Sequence, residues 1–343
     1  MIVESKQITI EPLSPVFVWS GKTLLPDFDF IVDGDNVVII DFDKLIKEAK
    51  SEEELKQYKK FLKELHGIKL EFKIARGKTI DKILDINPYI IPASEVKGLI
   101  RTAVINQLIK SDRKAFDEYM TRILNEMKKE DNLKSIGQIV EQVIKGKLPI
   151  KTRYVYDALK TLLISDPIVQ SSEFDLNEIK VLNIEGELLG SNYAITFTKG
   201  KLIYDAKIIK PKDYGVYTSS DVYNLTSKVT WDLIVNSLRN FSKVVIADEK
   251  SKINKYLSNS YGHQKEDLNK YLELIKNIEN IKDCIPLRIG MFTGHVSKTI
   301  EVRDDVKRKR ETLLTISYGK RWDNSTIKIA GGVGLGWIKM CIK

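Results

Sequence analysis

The sequence is poor in the residues that most often carry metal or redox chemistry. Its 343 residues include two cysteines, Cys284 and Cys341, and three histidines, His66, His263 and His295. The cysteines lie far apart in the sequence and cannot form a disulfide framework or a cysteine-rich zinc site. The histidines lack the spacing of metal ligands. We therefore expect no metal site and no cofactor.

Long apolar runs are also missing. No stretch approaches the roughly 20 apolar residues that a membrane-spanning helix needs. The first residues alternate between polar and apolar like a strand and do not resemble a signal peptide. The sequence thus predicts a protein without a membrane partner, and we expect it in the cytoplasm.

Three glycine-containing stretches match part of a nucleotide-binding motif, but none matches the whole motif. Gly77-Lys78-Thr79 and Gly21-Lys22-Thr23 end like a P-loop, but Phe72 and Val16 stand where its first glycine is required. This excludes ATP binding by a P-loop. The segment Gly331–Gly336 has the glycine content of a dinucleotide fingerprint but no helix after it. We expect a tight loop between the last two strands, which either approaches a phosphate backbone or only turns the chain.

What the chain has in excess is positive charge. Lys and Arg total 56 against 47 Asp and Glu, for a net charge of +9 and a pI of about 9.1. This balance suits a polyanionic partner. The run Lys307–Arg310 is followed by Tyr318 and Trp322, and cations interleaved with aromatics supply phosphate contacts and stacking platforms for unpaired bases. Arg308 and Arg310 are therefore candidate RNA contacts; a solvated face of mixed charge is the alternative.

The stretch 91–101 joins a proline-marked loop to an amphipathic helix, with Ser94 as the expected N-cap. Its apolar residues recur at helical spacing; they are Val96, Leu99, Ile100, Ala103, Val104 and Leu108. Lys97 and Arg101 share the polar face. Gly98 costs about 1 kcal/mol relative to alanine in a helix. A glycine at this position allows either tight packing of the helix on a sheet or the approach of a phosphate to the helix N-terminus. From the residues alone, tight packing is the favoured interpretation.

Periodicity predicts strands and helices in both halves of the chain. The predicted strands cover 7–18, 37–40, 68–74, 162–164, 181–189, 193–197, 202–208, 287–291 and the runs around 327–329 and 337–340. The predicted helices cover 51–67, 96–108, 116–127, 136–144, 222–238 and 268–278. The two kinds of element do not alternate regularly, so the expected class is α+β. Turn formers at 146–149 predict a boundary between domains 1–148 and 149–343.

Catalytic groups are not evident in the sequence. His295, beside Gly294, Ser297 and Lys298, is the one histidine with neighbours suited to RNA chemistry, and a structural role for it is favoured. Asp166 lies in a Ser-Asp-Pro turn, where it either orients a 2′-hydroxyl or a metal ion or simply forms the turn. We expect no catalytic residue.

Six segments, taken in order, resemble those of the RAMP superfamily, the repeat-associated subunits of CRISPR effector complexes. They are LSPVFVWSGK, VVIIDFDKLI, YIIPASEVKGLIRTAV, LLISDP, LRIGMFTGHVSKTI and GGVGLGWIKM. Within the superfamily they are similar to the type III-A (Csm) subunits that lie toward the 3′ end of the guide RNA. The resemblance implies tandem ferredoxin-like (RRM-like) domains with helical insertions and a C-terminal glycine-rich loop.

The resemblance also implies a function. Such a subunit binds the crRNA (the guide) through its backbone, supports its 3′ maturation and assembles with other RAMP subunits, with target RNA as a further partner. It does not cut RNA itself. The implied RNA contacts are Lys22, Ser94, Lys97, Arg101, Gly294, Ser297 and Lys298. Two alternatives remain open: an endoribonuclease that processes repeat RNA through His295, and a backbone subunit that cuts target RNA with a loop aspartate and a metal ion.

Overall fold

The computed structural model describes residues 2–33, 36–40, 67–71, 79–111, 159, 161–183, 186–209, 229–294, 296–298 and 326–343, and helical positions 117, 120, 121, 124 and 125. The strands are β1 (Ile2–Pro12), β2 (Trp19–Leu24), β3 (Phe30–Asp33), β4 (Asn36–Ile40), β5 (Gly67–Glu71), β6 (Ile83–Ile86), β7 (Leu162–Ile164), β8 (Ile168–Leu182), β9 (Leu188–Ile209), β10 (Ile285–Arg288), β11 (Ile327–Ala330), β12 (Val333–Gly334) and β13 (Trp337–Ile342). The helices are α1 (Ala93–Ser111), α2 (Trp231–Leu257) and α3 (Gly262–Glu279), with a 3₁₀ turn at Val296–Lys298.

One large sheet, mainly antiparallel, holds ten of the described strands. Its order is β10-β13-β1-β9-β8-β11-β12; β7 also pairs with β9, and β2 pairs with β6, which runs parallel to β9. β1 therefore lies between β9 and β13, and Ile8 faces Tyr204 on one side and Ile342 on the other. The expected α+β class is confirmed.

Alternating apolar side chains on the central strands build the main core. Ile8 and Ile10 of β1 face Tyr204 and Leu202 of β9, and all four are buried. Helices α1, α2 and α3 pack on this cluster through their apolar stripes, which include Val96, Ile100, Ile234, Leu238, Leu268 and Ile275. Each fully buried side chain of this kind contributes about 1.5–3 kcal/mol, so the helices and the sheet stabilise each other.

Strands β3, β4 and β5 form a separate three-stranded antiparallel sheet. Phe30 and Val37 of this sheet pack with Leu176 of β8 and Ile195 of β9. The small sheet is thereby fixed to the large one beside the β2–β6 pair.

The β8–β9 hairpin differs from the sequence prediction. Residues 181–189 were expected to be one strand, but the chain turns there: Gly186 N donates to Asn183 O at 3.0 Å, and Leu182 already faces Leu188. The prediction was wrong because the apolar residues on the two sides of the turn were joined into one strand, although Asn183 and Gly186 between them are turn formers. Segments 193–197 and 202–208, predicted separately, belong to the single long strand β9.

Other predicted elements are confirmed with shifted bounds. The helix at 96–108 is α1 and that at 268–278 is α3, whereas α2 runs on to Leu257 because its buried stripe continues through Val245 and Ile253. The predicted helices at 51–67 and 136–144 and the boundary at 146–149 lie outside the described residues, and the helix at 116–127 is described only at isolated positions. The two-domain division and the tandem ferredoxin-like arrangement stay predictions.

The sequence predicted that the segment Gly331–Gly336 forms one tight loop between the last two strands. In the structure this segment contains a hairpin turn and the short strand β12. Gly331 and Gly332 turn the chain between β11 and β12, with φ angles of 58° and 83° that suit a two-residue hairpin. β13 then leaves this hairpin and pairs with β1 and β10.

Cys284 and Cys341 form a disulfide that the sequence did not predict. Ile285 of β10 faces Met340 of β13, so the two cysteines stand opposite each other, with their Cα atoms 4.7 Å apart. Their separation of 57 residues along the chain hid this proximity. None of the helices that the structure describes combines the length and apolar character of a membrane span.

Candidate functional site

In the connection from β1 to β2, residues 15–18, here called the strap, join three loops that are distant in the sequence. Its carbonyl groups accept hydrogen bonds from each of them. These bonds are Gly336 N to Pro15 O (2.8 Å), Met291 N to Phe17 O (2.7 Å) and Asn87 N to Val18 O (2.8 Å). Two of the segments that carry the family resemblance, 287–300 and 331–340, therefore meet at the strap, which itself belongs to a third.

The start of α1 is anchored by two residues from the large sheet. Ala93 N donates to Asp166 Oδ1 at 2.9 Å, and the Tyr204 hydroxyl donates to Ile91 O at 2.6 Å. Burial raises the pKa of Tyr204, and the charge of Asp166 raises it further, so the hydroxyl keeps its proton. Asp166 thus caps α1 from a distant turn.

This arrangement corrects the expected role of Ser94. Ser94 lies inside the first turn of α1, and Glu95 N donates to Pro92 O at 3.0 Å, so Ser94 is not the N-cap. A carboxylate near a helix N-terminus interacts favourably with the free N–H groups and the helix dipole. Because Asp166 already accepts from Ala93 N, a phosphate does not find that N–H free.

On the outer face of α1, Lys97 and Gly98 have different surroundings. Lys97 Nζ donates to Leu162 O at 2.8 Å and so ties α1 to β7. Gly98 is exposed, and a Cβ built on it would meet no atom of the described residues within 4 Å. The interpretation that Gly98 lets the helix pack on a sheet is therefore wrong. The open space above Gly98 faces outward, next to the half-buried Arg101.

The loop that follows β10 lies beside the first turn of α1. Ser297 is buried, and its hydroxyl donates to Thr293 O at 3.1 Å, so it stabilises the loop from within. Lys298 is the last residue of the 3₁₀ turn, and its side chain is only partly exposed. Burial of its ammonium group lowers its pKa, the Glu95 carboxylate opposes this, and Arg288 adds to the lowering. The effect of Glu95 on this pKa indicates that Lys298 lies within electrostatic reach of the first turn of α1.

Beneath this surface, a buried network is centred on Arg288. Its Nη1 lies 2.7 Å from Glu249 Oε2, its Nε donates to Leu335 O at 2.8 Å, and its guanidinium lies 5.6 Å from the Trp337 ring centroid. The Tyr271 hydroxyl donates to Glu249 Oε1 at 2.8 Å and accepts from Trp337 Nε1 at 2.9 Å. Burial raises the pKa of Tyr271 well above its usual value. The network joins α2, α3, β10, β13 and the glycine-rich segment.

The glycines of that segment are needed for internal packing. A Cβ on Gly334 would lie 2.0 Å from the Tyr271 ring, and one on Gly336 would lie 2.3 Å from Ile289 O. Gly336 also has a φ of +84°, which favours glycine. The structure thus accounts for these two glycines without an external phosphate.

Seven predicted RNA contacts lie in the described residues. Six are on α1 or the loop after β10: Ser94, Lys97, Arg101, Gly294, Ser297 and Lys298. Lys22 lies on β2, beyond the strap. Arg308, Arg310 and His295 lie outside the described residues. His263 lies in the first turn of α3.

The sequence did not reveal the buried network. One signal was present for Arg288, a lone charge in the apolar strand from 285 to 289. A second was present for Glu249, four residues from both Val245 and Ile253 on the buried stripe of α2. The cap by Asp166 left no such local signal. Within the described residues, no group of three His, Cys, Asp or Glu side chains is placed to hold a metal ion.

No protein-family model matches the sequence, and no curated protein matches it. Solved structures match over nearly the whole chain. One is a chain of a Csm-crRNA-target RNA ternary complex from a type III-A CRISPR-Cas system, with a TM-score of 0.65, 16% identity and coverage of 98% of this chain and 100% of that chain. The fold is thus that of a type III-A Csm protein.

A second match defines the fold more narrowly. It is Csm5 of T. onnurineus, with a TM-score of 0.59, 17% identity and coverage of 96% of this chain and 99% of that chain. The fold is Csm5-like, as the six segments of the sequence predicted.

Proposed function

We propose that this protein is a non-catalytic RNA-binding subunit of a type III-A CRISPR (Csm) effector complex. In this proposal it binds the 3′ region of the crRNA, supports crRNA maturation and contacts other RAMP subunits of the complex. The observation that carries the proposal is the fold match to a chain of a Csm ternary complex and to Csm5. In each comparison the match covers nearly the full length of this chain and of the matched chain.

The surface beside the strap supports RNA binding. Lys298 and Arg101 lie on or next to α1, and exposed Lys22 extends the positive charge along β2. Protein contacts to phosphates position a nucleic acid without reading its sequence. A guide RNA held in this way keeps its bases available for pairing with a target. The open face of Gly98 gives a phosphate backbone room to approach α1.

Salt dependence tests the RNA-binding part of the proposal. Guide RNA binding by the full chain, alone and with its neighbouring subunits, is measured at several salt concentrations. Each phosphate contact to a single strand contributes about −0.7 to the slope of log K against log salt. We expect Lys298→Gln to weaken binding and to make that slope less steep. Lys265→Gln, at an exposed position of α3, is the matched control and should leave the affinity and the slope unchanged. Binding that is absent, or unaffected by salt, contradicts the proposal.

The position on the crRNA and the role in maturation need separate tests. Guides shortened at the 3′ end should bind more weakly than guides shortened equally at the 5′ end. Complexes purified from cells that lack this chain should carry crRNAs with longer 3′ ends. Equal binding of the two shortened guides, or unchanged 3′ ends, rules out these parts of the proposal.

The non-catalytic part is tested by incubation of the protein with repeat RNA and target RNA. We expect no cleavage with or without divalent ions. Cleavage of repeat RNA in EDTA that is lost in His295→Ala would identify a metal-independent ribonuclease. Divalent-dependent cuts in target RNA at regular spacing would identify a target-cleaving backbone subunit instead.

A further inference from the structure

Strand β2 contains a large bulge directly after the strap. Trp19 faces Ile86 of β6, but the next aligned pair is Thr23 with Leu84, so three residues of β2 stand opposite one residue of β6. Gly21, in the middle of the bulge, has a φ of +91°. Bulges of this kind redirect side chains and are frequent beside functional sites. Here the bulge sets the directions of Trp19 and Lys22.

Hydrogen bonds inside the bulge fix the Trp19 ring. Trp19 Nε1 donates to Lys22 O at 2.7 Å, and Lys22 N donates to Ser20 Oγ at 3.1 Å. Ser20 Oγ in turn donates to Asp85 Oδ2 at 3.2 Å and so joins the bulge to β6. The indole is nevertheless 43% exposed. A large ring that is already held in place loses little conformational entropy when a ligand covers it.

A second exposed ring comes from the loop after β6. Tyr89 is 51% exposed, and its N–H donates to Asn87 Oδ1 at 3.0 Å. Asn87 N also donates to Val18 O, next to Trp19, so this loop lies against the end of the strap. The following residue, Ile90, is buried and has a φ of +63°, which a β-branched residue rarely adopts. The tight turn that keeps Ile90 inside holds Tyr89 at the surface.

The other side of the strap has a similar arrangement. Met291 donates its N–H to Phe17 O and is 36% exposed. Phe292, with a φ of +64°, stacks on Phe17 with the ring centroids 5.9 Å apart. Single exposed apolar side chains are common on protein surfaces. Trp19, Tyr89 and Met291 differ from such single side chains. Turns with unusual backbone angles hold them around one segment, the strap, next to exposed Lys22.

We propose that Trp19 and Tyr89 form a stacking platform for unpaired bases of single-stranded RNA that follows this surface, with Lys22 in contact with an adjacent phosphate. This inference rests on the proposed function and adds a base contact to the phosphate contacts described above. Aromatic rings stack with any base, so the platform does not select a sequence. Loss of one such stack weakens binding on the order of 5- to 150-fold.

The test compares two oligonucleotides that carry the same number of phosphates. One is an oligouridine, and the other has abasic spacers in place of its bases. We expect Trp19→Ala and Tyr89→Ala to weaken oligouridine binding at least about 5-fold each, to leave abasic binding almost unchanged and to preserve the salt slope. Lys22→Gln should weaken binding of both and reduce the slope. Tyr261→Ala is the matched control, because this ring is 81% exposed and lies at the start of α3.

A second measurement does not depend on the folding of the alanine variants. Oligouridine should quench part of the tryptophan fluorescence of the wild type, the abasic strand should quench less, and the difference should disappear in Trp19→Phe. If the ring variants bind oligouridine like the wild type while salt-dependent binding persists, the platform is disproved and the proposed function stands. If they lose affinity for both strands equally, stacking is also disproved. If the wild type shows no salt-dependent binding, both proposals fail.

Discussion

At the scale of single residues, Gly98 is informative because the protein itself does not require it. It is exposed on α1, and among the described residues no neighbouring atom would touch a Cβ at this position. Glycine inside a helix is less favourable than alanine by about 0.5–1 kcal/mol. A partner that approaches the helix closely is a physical reason for glycine here.

Replacement of Gly98 by alanine should therefore separate stability from binding. We expect Gly98→Ala to raise the free energy of unfolding by about 0.5–1 kcal/mol and to weaken guide RNA binding. Urea denaturation and RNA titration measure the two effects. Gly262→Ala is the contrasting control: a Cβ there also has open space, but the φ of +55° makes alanine unfavourable, so stability should fall. Unchanged RNA affinity in Gly98→Ala would show that no partner needs this space.

Lys298 provides a prediction for pH. Its pKa is lowered, mainly by burial, so it loses its proton at a lower pH than an ordinary lysine. RNA affinity should fall as the pH rises through this lowered pKa, because the neutral amine no longer attracts phosphate. Lys298→Arg stays charged and should bind with less dependence on alkaline pH. Fluorescence anisotropy across the alkaline range measures this, with Lys265→Arg as control. An identical loss of affinity in Lys298→Arg would assign the effect to another group.

The lowered pKa of Lys298 makes folding stability change with pH in the opposite direction to RNA affinity. Between the lowered pKa and the usual lysine value, the unfolded chain binds more protons at Lys298 than the folded chain does. The contribution of this group to stability therefore rises with pH in that window.

Single residues also show where sequence reasoning ends. The apolar positions of α1 were predictable because they repeat with the helical period. Its N-terminal cap was not, since Asp166 lies 73 residues from Ala93 in the chain. The hydroxyl of Ser94 satisfied every local rule for a cap, and the tertiary contact replaced it.

At the scale of elements, the pair of Glu249 and Arg288 joins helices to strands. Loss of one partner of a buried ion pair leaves an uncompensated charge and costs about 3–5 kcal/mol. We expect Arg288→Met to destabilise the protein by this amount. The double variant Glu249→Leu with Arg288→Met should lose much less than the sum of the single variants. Chemical denaturation in a double-mutant cycle measures the coupling.

A surface pair on the same helix serves as the control. Lys250 of α2 lies 2.7 Å from Glu279 of α3, but their side chains are 39% and 35% exposed. Exposed pairs typically contribute about 0.2–1 kcal/mol, so Lys250→Met should have a small effect. Equal losses in Lys250→Met and Arg288→Met would show that the buried network does not hold the elements together.

Among the elements, α1, α3 and β7 were predicted well because their patterns are regular and short-range. The β8–β9 turn was missed because apolar residues lie on both sides of it, and because Leu188 and Leu189 have the residue types of a buried strand although both are largely exposed. The strap was predicted only as an interrupted strand. Its role depends on three hydrogen bonds to distant loops, which no local pattern reports.

At the scale of the whole molecule, the disulfide closes a long loop. In the chain-entropy model, a cross-link over 57 residues stabilises a protein by about 4 kcal/mol. We expect reduction to lower the free energy of unfolding by up to this amount, measured as the shift of a urea transition with and without a reducing agent. Cys284→Ser with Cys341→Ser should be insensitive to the reductant. A wild-type transition that does not respond to reduction would contradict the predicted contribution.

The α+β class was predictable from the mixture of periodicities, whereas the order of strands was not. Pairing of β1 with β13 and β9 joins segments from opposite ends of the sequence, and their alternating patterns would fit many partners equally well. The order of six degenerate segments predicted the fold, and the match to Csm5 over nearly the whole chain supports that prediction.

The central position of β1 has a consequence for biosynthesis. β1 leaves the ribosome before the other described strands, but β13, which pairs with one of its edges, is made after all of them. Until then that edge has unpaired N–H and C=O groups, which promote association with other chains. Contacts so distant in sequence also form slowly. The β1 edge of the large sheet therefore closes only after β13 has been translated, and until then it is open to pairing with other chains.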